Sequence, residues 1–426
     1  MRCVGRHKTK TSVPMKTTIK YVLILTITLW CAPSFSQQHT YTIEDANAIH
    51  NSINQSRWDV GGRLSQYTFR YMSEFFPVAI INKSSTTYTF LSQPKESIDK
   101  LSIESDRETL SFQDYLKKLH ISSFIVVHKG TIVYENYFSM LPEDQHTLQS
   151  ITKVVTSTLI TSLINSNRID IKQPIEIYIP ELQGSDWQGI TVQEILDMRS
   201  GMDSKSIDIK SGPFTNPLHK NYQFESALGA LPKAETTPES PFEFLKNLKK
   251  DKEPGLVAEY SNLNTFVLGW LAEKVTGKKY ADLVSEIIWK PMGASSNAYV
   301  CLSNNGIPWS HGGMSATLRD LARFGMLYTN SEIKARNESL ISFEQLQDIF
   351  DTPAIDFPIP FKWGYQWDLA SNGILVKGGF GGQALYIDPE KEIVIAYFNY
   401  VDENWGINNI ISDAALNAII KAVSTN

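Results

Sequence analysis

Strand-like segments lie towards both ends of this chain and enclose a long, mostly helical stretch. No other feature restricts the fold as much. Phe124–Val127 and Ile132–Tyr137 are rich in β-branched and aromatic residues and are separated by a turn at Lys129–Gly130, the pattern of a hairpin. Short β patterns return at Trp363–Leu369, Ile374–Val376, Ala384–Ile387 and Ile393–Tyr400. Between them, residues 174–351 read as mostly helical with long loops. Ile190–Arg199 stops at Ser200-Gly201, Asn264–Val275 ends at Gly277, and Leu318–Tyr328 starts after Thr317 with Asp320 three positions on, like a capping box. The economical solution is an α+β fold, an α/β sandwich. One antiparallel sheet is built from both chain ends, with flanking helices and an inserted, mainly helical subdomain. A cleft between the two parts is the expected place for a site.

Residues 106–173 and 352–426 are thus expected to form the α/β part and residues 174–351 the helical part. In the former, 107–119 place Phe112, Tyr115, Leu116 and Leu119 on one helical face. Ser150–Leu163 aligns Ile151, Val154, Val155, Leu159 and Leu163, and Asn408–Val423 aligns Ile411, Ala415, Ile419 and Val423. Residues 37–105 mix polar stretches with short apolar ones such as Phe75–Ile81 and read as an N-terminal arm on a larger body.

The first 36 residues read as a signal peptide. Tyr21–Trp30 is apolar, follows Lys16 and Lys20, and is succeeded by the small residues Ser34 and Ser36, which points to cleavage after Ser36. A start at Met15 gives a leader of more usual length. The apolar run is shorter than the ~20 residues a spanning helix needs, so a retained anchor is the weaker reading and no stable membrane insertion is expected after cleavage. The product is expected to be exported, periplasmic or secreted. Of Cys3, Cys31 and Cys301 only the last would remain, too few for an internal disulfide.

Charge follows the same division. The whole chain carries −5, but Arg2, Arg6, Lys8, Lys10, Lys16 and Lys20 all lie in the leader, which has no acid. Subtracting these six from the 40 basic residues leaves 34 against 45 acidic ones, a balance of −11. A nucleic-acid partner is not expected of such a surface.

Several chemistries are unsupported. There is no G-x-S-x-G elbow, no G-x-x-x-x-G-K-[ST] loop and no G-x-G-x-x-G after a first strand. The eight histidines never pair at the spacing that puts two ligands on one face, so neither a metal nor another cofactor is expected.

Three short motifs remain. Ser150-Ile151-Thr152-Lys153 is an S-x-x-K at the start of a long apolar helical run, directly after the hairpin. Residues three apart on a helix share a face, so Lys153 can reach the Ser150 hydroxyl. Burial would lower the lysine pKa and make it a usable base. Ser92…Lys95, Ser97…Lys100 and Ser331…Lys334 match the same spacing without that setting. Tyr260-Ser261-Asn262 precedes an apolar helix, where the Tyr260 phenol could pass a proton between Ser150 and a leaving group and Asn262 could bond a substrate amide. Lys377-Gly378-Gly379-Phe380 lies between predicted strands. Its glycines suit close backbone approach, the Phe380 N–H with the Ser150 N–H would make an oxyanion hole, and Lys377 would bind an anionic substrate end next to Gly379.

In this order the three elements resemble the serine β-lactamase and penicillin-binding-protein superfamily, specifically its class C-like branch with Tyr-x-Asn in second position. Tyr260–Trp270 (YSNLNTFVLGW), Gly312–Gly325 (GGMSATLRDLARFG) and Gly379–Pro389 (GGFGGQALYIDP) look most like the 6-aminohexanoate-dimer hydrolases and related esterases, and Ile190–Gly201 resembles the same branch. The resemblance covers roughly Phe112 to the C-terminus. It implies a serine hydrolase that cleaves a small-molecule amide or ester through an acyl-enzyme on Ser150, with Lys153 as base and Tyr260 as proton relay. A D-Ala-directed carboxypeptidase or weak β-lactamase is the alternative, and a non-catalytic penicillin-binding-like sensor a second. Gly378 replaces the Thr of the lactamase K-T-G, which removes a hydroxyl that helps hold a β-lactam carboxylate. Some 6-aminohexanoate-dimer hydrolases use a further tyrosine, for which Tyr178, Tyr222, Tyr280 and Tyr299 are available.

Overall fold

Ile393–Phe398 (IVIAYF) is buried at every position, which a strand tolerates only where both faces of its sheet are covered. A computed structural model describes residues 41–52, 58–59, 61–204, 213–337, 340–352, 362–370, 373–401 and 410–424. The expected leader, residues 1–36, lies outside them. In chain order the strands are β1 (Val78–Ile81), β2 (Leu91–Ser92), β3 (Ser102–Ser105), β4 (Glu108–Ser111), β5 (Ser123–His128), β6 (Thr131–Tyr137) and β7 (His146–Thr147). They continue with β8 (Ala298–Cys301), β9 (Met314–Ala316), β10 (Lys362–Gly364), β11 (Trp367–Leu369), β12 (Leu375–Gly378), β13 (Ala384–Asp388) and β14 (Ile393–Phe398).

The main sheet has the order β10-β11-β12-β13-β14-β5-β6-β2. It is antiparallel except for the edge pair β2–β6. The β5–β6 hairpin meets the C-terminal strands at β14, in the register Ile395↔Val126, so the sheet is made from both ends of the chain. Alternate residues serve opposite faces. Ile125, Val127, Val394 and Ala396 pack with the Thr152–Asn165 helix and the helical part, while Phe124, Val126, Ile395 and Tyr397 pack with the Phe112–Lys118 and Asp413–Ser424 helices. The Leu318–Met326 helix, started by Thr317 accepting from the Asp320 N–H, lies on the first face. Gly325 permits this contact, since a Cβ there would stand 2.7 Å from Val394 Cγ1. The fold is therefore the mixed α+β arrangement expected from the sequence.

The local differences have physical causes. Residues 37–105 do more than lie on the surface: β1 pairs with β8, and β2 extends the main sheet. The helical middle supplies β8 and β9 to a second sheet of order β1-β8-β9-β7. A helix is expected from residue 107, but positive φ at Asp106 and Arg107 turns the chain so that β4 pairs with β3. Ser111 then caps a helix beginning at Phe112. The expected helix at Ser150 opens as a 3₁₀ turn, Gln149–Ile151. The last helix is described from Asp413, the expected start at Asn408 lying outside the described residues.

Candidate active site

Ser150 sits in the 3₁₀ turn between β7 and the Thr152–Asn165 helix. Gln149, just before it, has φ 49°, a left-handed conformation that costs energy for a residue with a Cβ. One turn on, Lys153 is fully buried. Its Nζ lies 3.2 Å from Ser150 Oγ, 2.8 Å from Asn262 Oδ1 and 2.7 Å from the His311 carbonyl oxygen. Burial and then the nearby Lys377 charge hold the Lys153 ammonium well below its usual pKa, against the opposing pull of Glu225 and Asp368. A neutral amine has two N–H groups and one lone pair. In that form the two carbonyl acceptors take both N–H groups and leave the lone pair to Ser150, whereas as an ammonium Lys153 also donates to Ser150 Oγ.

Tyr260, immediately before the Asn262–Thr276 helix, donates its phenol proton to Ser150 Oγ at 2.6 Å. Burial raises its phenol pKa, with Asp368 and Glu225 adding to the rise, so it stays protonated at neutral pH. Lys153 Nζ and Lys377 Nζ stand 5.1 and 5.0 Å from its ring centroid, within the range at which an aromatic face attracts a cation. Lys377, on β12, is itself buried and paired with Asp368 Oδ1 at 2.9 Å, and the same oxygen accepts from Trp363 Nε1 at 2.7 Å.

The glycines after Lys377 differ in kind. A Cβ on Gly378 would meet nothing within 4 Å, whereas one on Gly379 would stand 2.5 Å from the Leu148 carbonyl oxygen. Gly379 thereby lets the end of β12 press against the turn that carries Ser150, and Phe380 follows at the cavity wall. The cavity holds about 300 Å³ and is walled by Trp58, Met72, Phe214, Leu231, Trp309 and Phe380, with Ser150, Lys153, Tyr260 and Lys377 among its polar lining.

The sequence-predicted residues thus converge: Ser150, Lys153, Tyr260, Asn262, Lys377 and Phe380 all line this cavity, and Gly379 braces it. Two differ from expectation in what they touch. Asn262 Oδ1 accepts from Lys153, while Nδ2 donates to Glu225 Oε1 at 2.8 Å, so its amide is engaged within the protein. Lys377 has a carboxylate partner already. The four tyrosines considered as helpers stand elsewhere: Tyr178 at Asp170, Tyr222 at the Pro232 carbonyl, Tyr280 at Thr156 and Tyr299 within β8. Among the described residues lining the cavity, Tyr260 is the one tyrosine. Sequence reasoning missed Glu225, His311 and Asp368. Asp368 carried a usable signal, a lone acid in an aromatic strand segment.

The beta-lactamase family matches residues 112–404. The 6-aminohexanoate-dimer hydrolase of Paenarthrobacter ureafaciens is 28% identical over 345 residues, covering 78% of this chain and 84% of the relative. A D-alanyl-D-alanine-carboxypeptidase/endopeptidase of Escherichia coli is 22% identical over 58% of this chain and 68% of its own length. Among solved structures, a Bacillus anthracis protein assigned by name to the 6-aminohexanoate-dimer hydrolases superposes with a TM-score of 0.72 at 26% identity, over 88% of this chain and 96% of that one. A class C beta-lactamase bound to cefoxitin shares the fold, with a TM-score of 0.53 at 16% identity over 73% and 96%. The order of motifs, the fold and these matches agree that the chain belongs to the beta-lactamase family of serine hydrolases.

Proposed function

We propose that this chain is an exported hydrolase that cleaves a small amide or ester through an acyl-enzyme on Ser150, and that its preferred acyl group is apolar. The observation that carries the reading is Ser150 Oγ held between a buried lysine at 3.2 Å and a protonated tyrosine at 2.6 Å at the edge of an apolar cavity. Lys153 removes the Ser150 proton as Oγ attacks the carbonyl carbon. The Ser150 and Phe380 N–H groups receive the oxyanion, each such donor being worth about 3–4 kcal/mol of barrier. Tyr260 protonates the leaving amine or alcohol, and water then hydrolyses the ester on Ser150.

The walls favour apolar acyl groups over charged ones. Lys377, the cation expected to receive a substrate carboxylate, is neutralised by Asp368, and no side chain at Gly378 replaces the lost hydroxyl. Cell-wall peptides and β-lactams carry that carboxylate, so carboxypeptidase and β-lactamase activities are the weaker reading.

Intact-mass measurement after a fluorophosphonate probe tests the nucleophile: one adduct is expected on the wild type and none on Ser150→Ala. A wild type that stays unmodified sinks the proposal. A chromogenic ester, an amide, a chromogenic cephalosporin and a D-Ala-D-Ala peptide, compared on one preparation, rank the substrate classes. Stable acylation without turnover would favour the sensor. Export is checked by the mass of the secreted chain, expected to begin at Gln37.

A further inference from the structure

One carboxylate holds both acceptors of Lys153. Glu225 lies on the Lys220–Leu228 helix and is buried. Its Oε1 accepts from Asn262 Nδ2 at 2.8 Å and from His311 Nε2 at 3.1 Å, and its Oε2 lies 3.3 Å from the same imidazole nitrogen. Asn262 and His311 are also the residues whose oxygens receive the two Lys153 N–H groups.

The chemistry of the donor set makes this more than packing. An ionised carboxylate can only accept hydrogen bonds. Facing Glu225, Asn262 must therefore present its NH₂ to the carboxylate and its oxygen to Lys153. In the flipped amide an NH₂ would face the lysine, and the neutral amine would spend its lone pair on Asn262 instead of Ser150. The same carboxylate fixes the imidazole with its proton on Nε2 and thereby anchors the residue whose main-chain oxygen is the second acceptor. Burial pushes the Glu225 pKa up, but the neighbouring His311 and the hydrogen bonds from His311 and Asn262 outweigh it, so the group stays ionised.

We propose that Glu225 is a positioning residue for acyl transfer: by accepting from Asn262 and His311 together, it fixes the two oxygens that turn the Lys153 lone pair onto Ser150. The inference rests on Lys153 acting as the base. It predicts a loss in the chemical step with substrate binding unchanged, since Glu225 acts through Asn262 and His311.

The charge environment supplies a readout that a merely structural role would not move. The groups acting on Lys153 are Lys377 on β12, Asp368 on β11, Glu225 and the His311 beside it, with the Tyr260 phenol between the two lysines. Glu225 and Asp368 favour the ammonium and Lys377 opposes it. Replacing Glu225 by a neutral residue removes one favourable anion, so the acid limb of Ser150 reactivity must move to lower pH even as the plateau falls.

The test is the rate of fluorophosphonate labelling of Ser150, read by intact mass from acid to alkaline pH, on wild type, Glu225→Gln and Glu225→Asp, with thermal unfolding of each recorded. Glu225→Gln is expected to fold and to label more slowly at the plateau, by about 10²-fold, the usual cost of a misplaced reacting group, with its acid limb shifted down. Glu225→Asp keeps the charge, so its limb should stay in place and its rate should fall between the other two. A folded Glu225→Gln that labels at the wild-type rate with the wild-type limb overturns the inference. Should Glu225→Gln not fold, Glu225→Asp decides through ester hydrolysis: a lower kcat at unchanged KM supports positioning, and an unchanged kcat refutes it. A wild type that never labels would instead remove the functional reading beneath the inference, so the two failures are distinguishable.

Discussion

The Tyr260 phenol oxygen lies 2.6 Å from Ser150 Oγ, closer than the 3.2 Å that separate this oxygen from Lys153 Nζ. In the proposed reaction the serine hydroxyl accepts from the phenol and gives its own proton to Lys153 in its neutral form. Both partners belong to one proton circuit in this mechanism, and removing either should stop different halves of it. Tyr260→Phe is expected to lower kcat about 10²–10⁴-fold, the range for a lost general acid, with KM little changed. Lys153→Ala should abolish both turnover and adduct formation. Steady-state kinetics on a chromogenic ester, paired with intact mass, checks both. A Tyr260→Phe enzyme within a few-fold of wild type would remove the phenol from the mechanism.

The Lys377–Asp368 pair makes a prediction about charge selectivity. Asp368→Asn should free a buried cation beside the cavity and improve acylation by a fluorescent penicillin relative to wild type. The same change removes an anion that favours protonated Lys153 and adds weight to Lys377, so the acid limb of ester hydrolysis should move to lower pH. Penicillin labelling that stays at the wild-type rate would show that charge neutralisation is not what excludes carboxylates.

Gly378 and Gly379 form an internal control. A methyl at Gly379 would drive into the Leu148 carbonyl and the Gln149 side chain, so Gly379→Ala should part β12 from the serine turn. Overpacking of this kind costs about 1–3 kcal/mol, and activity should fall further than stability. Gly378→Ala has open space and should behave as wild type in both denaturant unfolding and ester hydrolysis. Equal losses in the two variants would refute the close-approach account.

His146 predicts how stability depends on pH. It is buried on β7, stacked on Phe398 with centroids 4.7 Å apart, and burial lowers its pKa from 6.5 to about 3. Because the unfolded chain takes up this proton first, stability is complete above about pH 6.5 and declines as pH falls towards the folded value. At pH 5 the group should cost about 2 kcal/mol. Denaturant unfolding at pH 7.5 and pH 5 should show that loss in wild type and less of it in His146→Phe. Identical pH slopes would show that His146 is not the group responsible.

What could be read from the sequence was whatever local spacing controls. Ser150 and Lys153 share a helix face, Tyr260 and Asn262 open one helix, and Lys377 to Phe380 follow one strand; each is a short-range pattern. Thr317 with Asp320 gave the start of the Leu318–Met326 helix for the same reason. Glu225 and His311 carry no local pattern, and Asp368 carries only that of a lone acid in an aromatic strand segment. They acquire meaning only when the fold brings the Lys220–Leu228 helix, the turn before β9 and β11 to the same lysine. β8 and β9 were hidden likewise, since strands of four and three residues inside a helical stretch are defined by their partners β1 and β7. The tyrosines at 178, 222, 280 and 299 could not be sorted, because the position of a phenol depends on packing.

The pairing of β14 with β5 also governs when the enzyme can come into being. During synthesis β5 and β6 emerge well before β14, the strand that covers the other edge of β5. Until then that edge offers unpaired N–H and C=O groups along a run of apolar residues, a template for wrong partners. The Ser150 turn likewise waits for Gly379 and Phe380. Ser150 is therefore in place in a nascent chain well before β12 and β14 complete its surroundings, and the site assembles only once those strands have emerged.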